Sequence, residues 1–393
     1  MSVPPPSPRL KEKAITFEAL LLVVMVMRVA AHFALPQPLS GEALTSFTAA
    51  RELAAGHWPS WGPDHWGLGA QALHALGYPL LLAPVMAVAG ATPDVAFSVN
   101  LVLAMISAVL VWQVARQMGL RDTGQKLSIL GYALWLPGIW NCTLVTRENL
   151  GTALLLLSAW LALRLLREGP RMGLALAAGA TWAAGLLTEP SLLPAISAPV
   201  LALVLAGHGW RLPAAALALA AGAALMLGPW SLISGAMAEI PGTVLATLAA
   251  ATDAASTPVS APLSNHAAFG LQPWDVAIGR LALFWMPHMP DAGAHVVSRA
   301  ITFVRIGEVT QYVLIFTLGL AGLLAAHTMK RQRMVLGVLI AAFWVVNGSL
   351  TMDSSYRDPL MPLLIVLASA VIAELVYSRP VRQRPGVQPL TPR

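Results

Sequence analysis

The residues best suited to chemistry are acids set at the ends of apolar runs. Glu42 follows the first such run, in LSGEALTSF. A carboxylate there can act as a general base that takes a proton from an acceptor hydroxyl. It can equally be the acid that a helix N-terminus favours through its macrodipole. Glu148 stands beside Arg147 in VTREN, where two apolar runs meet. Charged groups at such depth are rare and tend to be functional; the alternative is an ion pair or a snorkelling side chain at a helix end. Arg28, in the outer half of the first run, and Arg357, in DSSYRDP, are two forks that suit phosphate oxygens. His57 and His65 are eight apart in a loop rich in Pro, Gly and Trp, and no metal-ligand spacing such as H-E-x-x-H occurs. A divalent cation bridging acidic side chains is left open. The chain has no Gly-rich phosphate loop with its lysine, which argues against nucleotide hydrolysis.

These residues need a scaffold, and the composition says which kind. Of 393 residues 57% are hydrophobic and 11% charged, against about 25% charged in a soluble domain. Mean hydropathy is +0.69. That is too little charge to cover a water-facing surface, so the chain is an all-α polytopic membrane protein. The single cysteine, Cys142, excludes a disulfide framework. The sequons at Asn141 and Asn347 fall within or beside apolar runs and are taken as chance.

Apolar runs of about 20 residues cross a bilayer. The expected spans are 14–35, 95–114, 127–145, 149–166, 173–188, 190–206, 212–233, 310–327, 335–352 and 360–378, about ten in all. The first is longer than a signal-peptide core and carries Glu18 and Arg28, so it is read as uncleaved. The run 76–90 contains Pro79 and Pro84 and is read as a re-entrant or interface-lying helix. Charge supports this: with 76–90 not crossing, most of the 24 lysines and arginines fall on one side and most acids on the other, as the positive-inside rule requires. Both termini are then cytoplasmic. The basic balance reflects topology and gives no reason to expect a nucleic-acid partner.

The resulting organisation is a single membrane domain, 14–378, between disordered cytoplasmic tails at 1–13 and 379–393. Its outside face carries a first loop, 36–94, and a long loop, 234–309. The stretch 39–79 holds Glu42, Arg51, Glu52, Asp64, three tryptophans, His57, His65, His74 and Tyr78. Interfacial helices are expected at 42–55, with Ser40 as a cap and Gly56 as a stop, and at 237–251 and 294–306.

The ordered set of Arg28, Glu42, AARELAAG, GYPLLLAP, SVNLVLA with Asn100, WLPGIWNCTLVTRENLGTALLLL, AAGLLTEPSLL and SSYRDPLMPLL resembles the GT-C superfamily of membrane glycosyltransferases. Its relatives include protein O-mannosyltransferases and lipid A aminoarabinose transferases. The first-loop acid is usually aspartate there and is Glu42 here; Glu189 stands where arginine is common. The resemblance implies a GT-C-like fold in a bacterial inner membrane and inverting transfer from a polyprenyl-phosphate sugar to an acceptor hydroxyl at the outer face. It implies Glu42 as base and Glu148 as the second catalytic acid. Arg28, Arg147 and Arg357 would hold the departing lipid phosphate, with Tyr356, His65 and Tyr78 as further substrate contacts. The competing class is a non-enzyme, either a transporter of lipids or sugar-lipids or a degenerate GT-C scaffold. Transporters more often show inverted repeats and midplane charges, whereas the acids here gather at one face.

Overall fold

The computed structural model describes residues 15–34, 39, 41–57, 59, 76–207, 211–234, 284–285, 299–325, 330–350 and 354–377. Among these every regular element is helical. Helix α1 is Phe17–Ala34, α2 Gly41–Ala54, α3 Gly77–Ala89, α4 Pro93–Gln117, α5 Asp122–Ala133, α6 Leu136–Thr143 and α7 Glu148–Glu168. There follow α8 Met172–Thr188, a 3-10 turn Pro190–Ile196, α9 Ser197–Ala206, α10 Arg211–Ser234, α11 Arg299–Ala325, α12 Lys330–Leu350, a second 3-10 turn Ser354–Leu360, and α13 Met361–Tyr377. The expected helices at 237–251, the Ser40 cap, His65, His74 and the loop tryptophans lie outside the described residues. The other loop helix, 294–306, enters the described residues at Arg299, where its chain runs without a break into α11.

Six of the helices are long and apolar enough to cross a bilayer: α1, α4, α7, and the apolar stretches of α10, α11 and α13. They leave large aliphatic side chains bare, such as Leu22, Val26, Val102, Leu217 and Leu314, a pattern suited to lipid and costly in water. The chain is a multi-pass membrane protein. Helix α3 has 13 residues and so covers about 20 Å, short of a hydrocarbon core of roughly 30 Å. Tyr78, Leu82 and Met86 on α3 pack against Ala43, Phe47 and Ala50 of α2 and Ala96 and Leu103 of α4.

The interior is built around α7, whose Leu156, Ala159 and Leu163 are fully buried. Helices α4, α8 and α9 surround it. Helices α8 and α10 meet backbone to backbone: a Cβ on Gly179 would strike the Leu219 carbonyl, and one on Gly222 the Leu176 carbonyl. Small residues permit such close helix approach where lipid, not water, surrounds the bundle.

The expected single span 127–145 is two helices. Pro137 sits in the first turn of α6; it has no N–H to donate to the Ala133 carbonyl one turn back, and its ring clashes there, so α5 cannot continue through it. The chain therefore breaks at Leu134–Trp135. The groups freed by the break are taken up by one side chain of α11. Gln311 Oε1 accepts from the Leu136 N–H at 2.9 Å, and Gln311 Nε2 donates to the Leu134 carbonyl at 2.7 Å. Non-helical backbone at membrane depth is tolerated when a neighbour satisfies it in this way.

Candidate active site

Helix α2 packs on α3, and its boundaries explain where Glu42 points. Gly41, at φ +52°, turns the chain into the helix, and Gly56, at φ +79°, ends it, both in the left-handed region where glycine costs least. Phe47 and Ala50 anchor α2 on α3. Glu42 is thereby delivered at the first turn, and its Oε1 meets Arg147 Nε at 3.2 Å. Glu42 is about a third exposed and Arg147 about a fifth. At this partial burial the pair is screened less than a surface pair.

Arg147 precedes α7, and Glu148 opens it, where the helix N-terminus favours an acid. A third carboxylate arrives from the turn after α8. Glu189 is 5% exposed; its Oε1 accepts from Ser191 Oγ at 2.6 Å. Asn347 of α12 donates to the Ser191 carbonyl at 3.0 Å and so fixes that turn. Room for the carboxylate comes from Gly151, where a Cβ would stand 3.0 Å from Glu189 Oε2. Burial pushes the Glu189 carboxyl up to about 7, against the attraction of Arg147 and the Ser191 bond; Glu148 and Glu42 push the same way as burial. The Oε2 atoms of Glu148 and Glu189 are both buried with no hydrogen-bond partner.

Glu148 also lies within electrostatic reach of Asp358, which joins this group to a second one. There Asn141 Nδ2 donates to Asp358 Oδ2 at 3.4 Å, and Asn149 Nδ2 donates to the Asn141 carbonyl at 2.7 Å. Arg357 is 3% exposed. It donates to the Phe284 carbonyl at 3.0 Å, with its guanidinium 4.2 Å from the Tyr312 ring centre. Glu308, Tyr312, Arg357 and Asp358 line a crevice of about 10 Å³, room for on the order of one water.

The structure therefore brings together Glu42, Arg147 and Glu148, and sets Arg357 beside Asp358 within reach of Glu148. Arg28 stands apart from them. It is fully buried, donates to the Val24 carbonyl at 3.2 Å, and lies over the Tyr132 ring at 4.7 Å. Tyr78 is also fully buried, and its hydroxyl donates to Asn100 Oδ1 at 2.9 Å. The Tyr356 side chain and His65 lie outside the described residues. The sequence reading had not placed Glu189, Asp358, Asn141, Asn149 or Asn347 in a site. Their signal was position, since each polar group stands at or near the end of an apolar run. Among the described residues no three of His, Cys, Asp and Glu are grouped so that they could hold a metal ion. The acids are arranged around arginines instead.

No family model matches the sequence, and neither does any curated protein. Solved structures do. The fold resembles the apo crystal structure of the Archaeoglobus fulgidus oligosaccharyltransferase, with a TM-score of 0.53 and 11% identity over 93% of this chain and 51% of that one. It resembles the archaeal oligosaccharyltransferase AglB from Archaeoglobus fulgidus, in complex with an inhibitory peptide and a dolichol-phosphate, with a TM-score of 0.50 and 12% identity. That match covers 95% of this chain and 52% of its counterpart. The chain thus spans about half the length of the proteins it resembles. At these identities the likeness concerns the fold alone.

Proposed function

We propose that the chain is a membrane glycosyltransferase that moves a sugar from a polyprenyl-phosphate donor to an acceptor hydroxyl, with inversion, at the outer face of a bacterial inner membrane. The observation that carries this reading is the junction of Glu42, Arg147, Glu148 and Glu189 beneath α2, in a fold resembling that of an oligosaccharyltransferase. Glu42 takes the proton of the acceptor hydroxyl as that oxygen attacks the anomeric carbon. The bond from that carbon to the phosphate oxygen breaks, and the polyprenyl phosphate leaves with the electron pair. Arg147 and Arg357 offset its charge, the electrostatic part of catalysis. Holding donor and acceptor together supplies the orientation part. Glu42 is the base because its part-exposed carboxylate meets Arg147 at the first turn of α2. Glu189, buried, attracts Arg147 from the turn after α8, and Glu148 stands half-buried beside that arginine. Arg28, whose Nη1 donates to the Val24 carbonyl, and Tyr78, whose hydroxyl donates to Asn100, are turned into the interior; in this reading they position helices and do not touch substrate.

The test is envelope chemistry. A deletion strain is complemented with the wild-type chain or with Glu42→Gln at equal membrane expression, and glycolipids and polysaccharides are compared by mass spectrometry. The expected result is a missing sugar that only the wild type restores, with at least a hundredfold loss for the variant, the scale of a lost general base. Restoration by both chains would remove Glu42 as the base and favour a transporter or a non-catalytic scaffold.

A further inference from the structure

At the end of α7 remote from Glu148 lies a second cavity that the transfer reaction does not use. Helix α7 has 21 residues and is about 30 Å long, the thickness of a hydrocarbon core. Its two ends therefore sit at the two faces of the bilayer. The far end, with the parallel end of α4, lines an open cavity of about 490 Å³ in which Arg116 and Arg167 are exposed. Its lining includes Arg116 and Gln117 from α4 and Trp160, Arg164, Arg167 and Glu168 from α7.

The charges in this cavity are unequally matched. Glu168 is engaged twice, by Arg164 Nε at 2.6 Å and by Arg171 Nη1 at 2.7 Å. Arg167 Nη1 instead donates to the neutral Gln117 Oε1 at 2.9 Å, and Arg116 lies over the Trp112 ring at 5.8 Å. Among the described residues no carboxylate is within ion-pair distance of Arg116 or Arg167. Trp160, beneath the Arg164 guanidinium at 5.0 Å, has a buried indole N–H with no partner. Sidedness alone requires only that cations lie on one face; it requires neither a cavity nor an indole donor beside them. On α4, Val102 and Ile106 lie on the helical face that also carries Gln113 and Gln117, at steps of four, seven and four residues. Both are about half exposed, so an apolar strip leads away from the cavity into the membrane.

We propose that this cavity binds the phosphodiester headgroup of an anionic phospholipid of the inner leaflet. Arg116 and Arg167 take the phosphate oxygens, and an acyl chain lies along Val102 and Ile106. Basic pockets between membrane helices on this face recognise lipids of this kind. The site is independent of the proposed transfer chemistry at the other end of α7.

The test is native mass spectrometry of the purified, delipidated full chain. It is incubated with palmitoyl-oleoyl phosphatidylglycerol, with the phosphatidylcholine of the same chains, or with phosphatidylglycerol plus millimolar inorganic phosphate. The expected result is a phosphatidylglycerol adduct favoured over phosphatidylcholine and unaffected by phosphate. The double variant Arg116→Gln, Arg167→Gln loses it by roughly 30-fold, about fivefold for each interfacial arginine. The variant Arg116→Lys, Arg167→Lys keeps the charge and most of the binding, which separates a lost site from a damaged fold. Equal binding of the two lipids, or undiminished binding by the glutamine variant with the wild-type melting point, would overturn the proposal. Displacement by inorganic phosphate would make this a site for a soluble anion and would equally overturn it.

Discussion

Glu189 is the residue whose surroundings and ionisation are most at odds. A carboxyl that titrates at 4.5 in an open chain titrates at about 7 here because it is buried. Below 4.5 both folded and unfolded chains hold its proton. Between 4.5 and 7 only the folded chain does, so stability falls as pH rises through this window and levels off above it. The difference is on the order of 3 kcal/mol. Thermal unfolding in detergent at pH 5, 6, 7 and 8 should show this fall in the wild type, and Glu189→Gln should flatten it. An unchanged slope in the variant would assign the titration to another group. The importance of Glu189 was hard to see in sequence because its neighbours come from separate elements: Arg147 before α7, Ser191 two residues on, and Asn347, which fixes the turn from α12. Arg28 shows the reverse case. A fork suited to phosphate was visible, but a helix pattern does not say that its face would turn toward Tyr132.

At the scale of elements, local signals served well wherever the physics is local. Helix α2 was expected at 42–55 and occupies Gly41–Ala54, since an apolar period and a stop glycine fix its limits. The short helix α3 was legible from its two prolines and its length. The break between α5 and α6 was hidden inside an unbroken apolar run, although Pro137 was its sign. Closing that break depends on Gln311, a long-range contact that no local pattern reveals. Gln311→Leu leaves the Leu136 N–H unpaired in a part-buried setting and the Leu134 carbonyl unpaired at an exposed one. The part-buried group alone costs about 1–3 kcal/mol, so the variant should melt a few degrees lower. Fluorescence-detected gel filtration after heating measures this. A melting point equal to the wild type would mean that water, not Gln311, satisfies the break.

For the whole molecule, composition and charge asymmetry led to a polytopic helical bundle because both act over the entire chain. They also predict its sidedness. Cys142 is fully buried, so an impermeant maleimide should leave the native chain unlabelled in intact cells. With Asp94→Cys, at the exposed start of α4, the reagent should label cells directly. With Arg171→Cys, beyond α7, it should label only after permeabilisation. The opposite pattern would invert the molecule and place Glu42 in the cytoplasm. The Gln311 contact has a further consequence in the order of synthesis. Leu136 and Gln311 are 175 positions apart, so the break between α5 and α6 is made long before the side chain that closes it. Until α11 leaves the ribosome, the nascent chain carries two bare backbone groups at membrane depth, and a chain truncated before residue 311 keeps them for good.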